Sequence, residues 1–390
     1  MSGDSSGTYP AVYGIKGVPS PANIPGGRQC ASKWTDNNDN LWLFGGRANS
    51  GILNDLWKYD PLTNEWTWMS GDNIPYQNGV YGTKGISSPL NKPGARDSET
   101  LCWTDNNGKF WLFGGQGNGG QLNDLWKYDP IINEWTWVSG SNTFNQSGIY
   151  GTKGVSSASN VPGARDATTC SWVDNNGDLW LFGGRVSGKG RLNDLWKYTI
   201  STNEWIWMSG SNLLNQNGVY GIKGVPSPSN VPSARYCWTS WADKNNNLWL
   251  FGSESENDLW KYNLTTNQWT WVSGSNTIHP ASVYGTKCIE SVSNMPGLRP
   301  NATARWIDDC GNLFLFGGRG YIGGGAHNDL WRYNPNTDKW TWISGDNILN
   351  QLSIFGTKGV ASPTNKPGNR QGGVSWINKK NELWLFGGFP

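Results

Sequence analysis

Six arginines recur along the chain: Arg28, Arg96, Arg165, Arg235, Arg299 and Arg370. Guanidinium groups gathered around one opening can hold an anion. A structural reading competes with that one. Asp55, Asp124, Asp194, Asp258 and Asp329 follow the first five arginines, and each pair is placed to meet within or between repeats. Arg370 has no such aspartate downstream and is the exception. Metal chemistry has little to work with: the chain has only 2 His, His279 and His327, so a His-rich site is excluded. The Asp- and Asn-rich stretches Asp36 to Asn40 and Asp174 to Asp178 lack the ligand spacing of an EF-hand. They read as turns whose side chains bond to their own backbone. No Gly-x-Ser-x-Gly elbow, Walker loop or zinc pattern is present. No cofactor is expected. A carboxylate pair or other isolated acidic or Tyr-based site lining a central channel, and with it a hydrolase or lyase, is the enzymatic reading left open.

The 6 cysteines are unevenly placed. Cys30, Cys102, Cys170 and Cys237 lie in or beside one recurrent strand and read as small buried residues. Cys288 and Cys310 each displace a repeated residue, Cys288 a glycine and Cys310 a turn position. That coincidence raises a disulfide between them, although a whole strand would separate the two. Asn145, Asn263 and Asn301 begin Asn-x-Ser/Thr sequons, which matter only in a secreted eukaryotic product.

These residues are positioned by a repeat of roughly 70 residues. The arginines mark its start. Leu41-Trp42-Leu43-Phe44-Gly45-Gly46 recurs near Trp111, Trp180, Trp249, Phe314 and Trp384. Asn54-Asp55-Leu56-Trp57 recurs from Asn123, Asn193, Asn257 and Asn328, and Trp66-Thr67-Trp68 recurs from Trp135, Trp205, Trp269 and Trp340. Each unit reads as four short strands. Strand A follows the arginine. Strand B is the Leu-Trp-Leu-Phe run, strand C is Asp-Leu-Trp-Lys-Tyr, and strand D places two Trp on one face by the two-residue period. Turns such as Asp105-Asn106-Asn107-Gly108 are hairpin signals. Apolar residues are only 36% of the chain, but 27 of them are Trp, and each indole removes a large area from water.

The unit resembles a kelch repeat: an arginine before the inner strand, a double glycine after the second, an aromatic pair in the outer strands. It is most similar to the long-repeat kelch-like proteins of bacteria and simple eukaryotes, in which Leu-Asn-Asp-Leu-Trp-Lys-Tyr-Asp-Pro recurs. The resemblance implies an all-β, six-bladed kelch-type β-propeller over residues 1–390, with units starting near 28, 96, 165, 235, 299 and 370. It also implies that the B–C and D–A connections share one face. Copper-radical oxidases share this architecture, but their His and Tyr ligands and modified Tyr–Cys pair have no counterpart here.

Strands A and B occur six times, C and D five times, so the final blade is expected to be incomplete. Strand B at Leu383 to Phe386 is then an apolar edge. Three explanations stand: the chain is part of a longer one, the edge pairs with another chain, or the N-terminal residues cover it irregularly. The D–A segment has constant length, 28 positions from Trp68 to Arg96, Trp137 to Arg165, Trp207 to Arg235, Trp271 to Arg299 and Trp342 to Arg370. A slack loop tolerates length change cheaply, so this segment is expected to be ordered.

The B–C connections vary in length and residue type. That rim carries the candidate binding residues Arg47, Gln116, Arg185, Lys189, Arg191, Glu254, Arg319, Tyr321 and His327. The expected function is a non-catalytic binding module, extracellular or at the cell surface, that recognises protein or glycan at the loop-rich face. The alternative is a self-assembling structural repeat protein, a homo-oligomer through the sixth-blade edge. With 31 Lys and Arg against 29 Asp and Glu, no basic footprint for nucleic acid is evident. No apolar run reaches the ~18 residues of a membrane-spanning helix.

Overall fold

The computed structural model describes residues 10–97, 100–166, 170–236, 239–300, 304–320, 325–357, 360–371, 374–377 and 380–386. Tyr321, Cys237 and Asn301 lie outside them. Two compact units, Met1–Asn215 and Gln216–Pro390, are taken in turn.

In the first unit, strands A to D of the first repeat are Ser32–Thr35, Leu41–Ala48, Gly51–Asp60 and Glu65–Ser70. Those of the second are Leu101–Thr104, Phe110–Phe113, Leu125–Asp129 and Glu134–Ser139. Those of the third are Cys170–Val173, Leu179–Val186, Gly190–Thr199 and Glu204–Ser209. Each set is an antiparallel meander in chain order. In the second unit the fourth repeat comprises Thr239–Ala242, Asn247–Phe251, Leu259–Asn263 and Gln268–Ser273. The fifth comprises Ala304–Ile307, Leu313–Phe316, Leu330–Asn334 and Lys339–Ser344. The sixth contributes Val374–Ile377 paired with Leu383–Phe386.

Within each unit consecutive sheets stack face to face. Strand B residues Phe110, Trp111, Leu112 and Phe113 of the second repeat are therefore buried on both faces of the sheet. Trp111 of the second repeat packs on Tyr198 of the third, ring centroids 5.5 Å apart, and Phe113 packs on Trp205 at the same distance. In the second unit Trp249 meets Tyr333 and Phe251 meets Trp340 in the same way. A four-stranded sheet cannot bury both its faces alone, so each repeat supplies the other's core.

The A–B turn is held by its first aspartate. Asp105 Oδ1 accepts from the backbone N–H of Asn107 and Lys109, and Oδ2 from the Trp111 indole. Asp36 and Asp174 do the same in their own turns. These carboxylates are occupied by turn and strand donors.

The D–A segment is ordered, and its course differs from a simple thickening of one face. The segment entering the second repeat, residues 71–95, pairs Ser87 and Ser88 with Thr136 and Trp135, adding a short fifth strand outside strand D. Gly85 N–H donates to the Trp137 carbonyl, and the Asn91 amide donates to the Trp135 carbonyl. Lys84 donates to the Gly140 carbonyl and lies 4.3 Å from the Trp137 ring centroid. These contacts recur at Lys16, Lys153, Lys223 and Lys287. The Lys–Trp stacking and carbonyl capture hold an otherwise polar segment in place. Gly140 ends strand D at φ +79°, where a Cβ would fall 1.9 Å from the Asn123 carbonyl oxygen, so only glycine fits.

Cys288 stands where the other loops have glycine and keeps the left-handed backbone, φ +63°. Cys288 and Cys310 are both exposed free thiols, so the disulfide expected between them is not formed. Cys288 N–H donates to the Trp342 carbonyl at the outer edge of strand D, and Cys310 sits in the A–B turn. Cys170 is buried and disulfide-bonded, whereas Cys30 is exposed and Cys102 half-buried, so none of the three is simply a small buried residue.

Candidate functional site

The recurrent arginines build the lining of each repeat. Arg96 places Nη1 2.8 Å from Asp124 Oδ1 and Nη2 2.8 Å from Oδ2, a bidentate pair with both side chains fully buried. Its Nη1 also reaches the Gly114 carbonyl and its Nε the Gly94 carbonyl. Asp124 Oδ2 further accepts from Trp126 Nε1 at 2.7 Å and from the Tyr81 hydroxyl at 2.8 Å. The same set recurs at Arg28–Asp55–Tyr13, Arg165–Asp194–Tyr150, Arg235–Asp258–Tyr220 and Arg299–Asp329–Tyr284. Burial disfavours the Arg96 charge, but the Asp124 carboxylate more than offsets it and holds the guanidinium pKa above its ordinary value. Burial likewise opposes ionisation of Asp258, and Arg235 overrides it, leaving the carboxyl below the usual range. These arginines are committed to carboxylates inside the fold and are closed to an external anion. Arg370 instead bonds the Gly368 carbonyl and the Ser353 hydroxyl.

The candidate surface is at the B–C end of the sheets. After each strand D the loop first turns back onto its own B–C hairpin. In the second repeat Asn145 N–H donates to the Gln121 carbonyl, and Asn145 Oδ1 accepts from Gln121 N–H at 3.0 Å. Asn215 does this to Arg191, and Asn350 to Ala326. All three Asn have positive φ, near +60°, a conformation Asn tolerates.

Between clamped hairpin and neighbouring loop lies a groove, seen at equivalent places twice in the first unit. One, about 310 Å³, is lined by Gln77, Tyr81, Asn118, Leu122, Asn142 and Phe144. The other, about 670 Å³, is lined among others by Gln146, Tyr150, Lys189, Leu192, Asn212 and Leu214. The frame repeats, Gln for Gln and Tyr for Tyr, while Phe144 gives way to Leu214 and Asn118 to the Lys189 turn. A third hollow, about 350 Å³, lies at the A–B end and is lined by turn residues such as Asp36 and Asn107 that serve the fold.

The nine rim candidates divide. Gln116 and Lys189 line the larger groove. Arg191 is the residue clamped by Asn215. Arg47 reaches Asp97 at 2.5 Å and Arg185 reaches Asp166 at 2.8 Å, both from partly exposed side chains onto buried carboxylates. Burial raises the Asp166 pKa, and Arg185 pulls against it. Glu254 is half-buried in the shortest B–C connection, and Arg319 is exposed. His327 is a correction to its reading as a binding residue. It occupies the position of Leu53, Leu122 and Leu192, is buried, and has its pKa lowered to about 3 by burial and by Arg299. Tyr321 lies outside the described residues. Phe144, Asn145, Gln121, Asp97 and Asp166 were not among the sequence candidates. The regular Asn eight positions after the second Trp of strand D was the available signal for Asn145.

Two segments, residues 37–67 and 299–347, match family models of the kelch motif. The first runs from the A–B turn through strands B and C into strand D, and the second runs from Arg299 through strands A to D. These two segments are kelch motifs. The chain's sheets are kelch-type propeller blades, and the class is one of protein-binding, typically non-catalytic modules. No curated protein matches the kelch chain. Among the described residues, no helix is long and apolar enough to cross a membrane.

Proposed function

We propose that this kelch chain binds a protein partner through the B–C end of its blades, with the grooves beside the clamped hairpins as the contact sites. The observation that carries this reading is the repetition of one groove frame with changed rim residues in consecutive blades. An invariant frame with variable tips is how a rigid scaffold presents recognition loops. The amide-rich walls and the apolar Phe144 or Leu214 offer hydrogen bonds around a hydrophobic contact, as protein interfaces do.

The test is site-specific photocrosslinking. A photoreactive residue at Lys189 or Asn118 is compared with one at Leu62, which is 94% exposed in a C–D turn away from the grooves. Adducts with one discrete protein from positions 189 and 118, and none from 62, support the reading. Equal labelling from all three positions overturns it, as does capture of glycan alone on an array.

A further inference from the structure

The cleft between the first and second repeats holds the hollow of about 350 Å³ at the A–B end, away from the B–C grooves. Two contacts across the cleft frame it. At the A–B turns Asn37 meets Gly108, where a Cβ would stand 3.2 Å from the Asn37 amide nitrogen. At strand D the Asn133 amide donates to the Met69 carbonyl at 3.3 Å. One turn residue keeps the hollow open. Pro130 occupies the place that Ile200 takes in the third repeat. Ile200 packs against the core between the second and third repeats. The smaller proline leaves that volume to solvent, and Ile131 beside it is 83% exposed.

Lys58 is the group that this hollow sets apart. It stands opposite Trp42 in the register that places Lys127 opposite Trp111, Lys197 opposite Trp180 and Lys261 opposite Trp249. Those three ammonium groups stack on their tryptophans, 5.8, 5.7 and 5.4 Å from the ring centroids. Lys197 also pairs with Asp178 at 2.7 Å, and Arg332 of the fifth repeat reaches the Thr341 hydroxyl. Lys58 lines the hollow half-buried, and among the described residues its ammonium has no ring, carboxylate or hydrogen-bond acceptor. The other charges there are committed. Lys109 pairs with Asp129 at 2.7 Å. Asp36 accepts from the Asn38 and Asn40 N–H groups, the Asn40 amide and the Trp42 indole. A partly desolvated cation without a counter-charge gains from an anion that brings charge-assisted hydrogen bonds.

We propose that this hollow binds a small organic monocarboxylate with an apolar body, its carboxylate on Lys58 Nζ and its body against Met69 and Ile131. An apolar wall with one charged anchor and a few amides is the usual make-up of a small-ligand pocket, and Asn37 and Asn107 supply the amides. A polyanion fits poorly, because one cation is free and the Asp36 carboxylate lines the same space. The contacts that frame the hollow are already made, so little ordering cost opposes binding.

The probe is phenylacetate, titrated with the 390-residue chain and read by saturation-transfer NMR on the ligand. Saturable binding with a dissociation constant of about 1 mM is expected for a ligand of this size. Phenylacetamide has the same shape without the charge and should bind about tenfold more weakly or worse, as loss of a hydrogen bond between charged groups does. Lys58→Met keeps most of the stem and should show the same loss. Pro130→Ile copies the third repeat, fills the hollow and should abolish binding with Lys58 still in place. Melting temperatures check that both variants fold, and the acid–amide comparison uses the parent chain and stands whether they do or not. No saturable binding up to about 20 mM overturns the proposal. So does equal affinity for acid and amide, or binding retained in full by folded Lys58→Met or Pro130→Ile.

Discussion

The Tyr81 hydroxyl donates to Asp124 Oδ2 at 2.8 Å across 43 positions of sequence. Tyr81 belongs to the loop that leaves the first repeat, and Asp124 to strand C of the second. Since Asp124 also holds Arg96 and the Trp126 indole, one carboxylate ties the incoming loop, the arginine ahead of strand A and the start of strand C together.

Removing the phenol should loosen the loop without opening the core. Tyr81→Phe is expected to cost about 1.5–3 kcal/mol, the range for a hydrogen bond to a charged group. Asp124→Asn should cost more, about 3–5 kcal/mol, because Arg96 is left buried without its counter-charge. Denaturant titration of both variants checks the order. Equal losses would show that the phenol and the guanidinium are not separable.

His327 gives the fold an acid sensitivity that leucine at this position would not. It is neutral in the folded state down to about pH 3. The unfolded chain takes up a proton below its ordinary pKa near 6.5. Protons therefore favour unfolding between those limits, by about 1.4 kcal/mol per pH unit. His327→Leu should flatten the melting temperature between pH 6.5 and pH 4 relative to the parent. Parallel pH profiles would rule out this origin.

Position 288 holds a β-carbon in a left-handed conformation that the other loops reserve for glycine. Cys288→Gly should stabilise the fifth repeat by about 1 kcal/mol, relieving the αL cost. Thermal melting under reducing conditions measures it. A lower melting temperature would mean the sulfur contact near the Ile343 carbonyl outweighs the backbone term.

The two kinds of connection should answer differently to insertion. Two glycines placed after Gly188, at the tip of a B–C hairpin, should change stability by less than about 1 kcal/mol. The same insertion after Gly85 separates the Lys84 and Asn91 anchors on strand D and should cost several-fold more. Similar losses at both sites would mean the constant 28-position spacing has no structural cause.

Strand order and the turn role of Asp36, Asp105 and Asp174 were legible because each rests on local pattern: two-residue alternation, Asp-Asn-Gly turns, paired glycines. The route of the D–A segment was not, because Tyr81 finds its partner in the next repeat and no short-range signal encodes that. His327 misled for a related reason. Its position in a variable connection looked exposed, and only alignment with Leu53, Leu122 and Leu192 across repeats places it inside. The disulfide reading of Cys288 and Cys310 rested on two coincident departures, and both thiols are free, Cys288 being held on strand D. The grooves depend on Asn145 and Gln121 meeting across a hairpin and a loop, a juxtaposition that spacing alone does not report.

Because each loop is anchored to the hairpin behind it and to the outer strand ahead, the transferable module is out of phase with the arginine-to-arginine repeat. A graft cut at Arg96 would separate Tyr81 from Asp124 and leave Lys84 without its Trp137 seat. A graft cut between Tyr76, which still bonds the Ile52 carbonyl of the hairpin behind, and Tyr81 would keep all of them. Domain shuffling or design with these blades should therefore place its seams in that interval, where the chain has finished with one sheet and has not yet gripped the next.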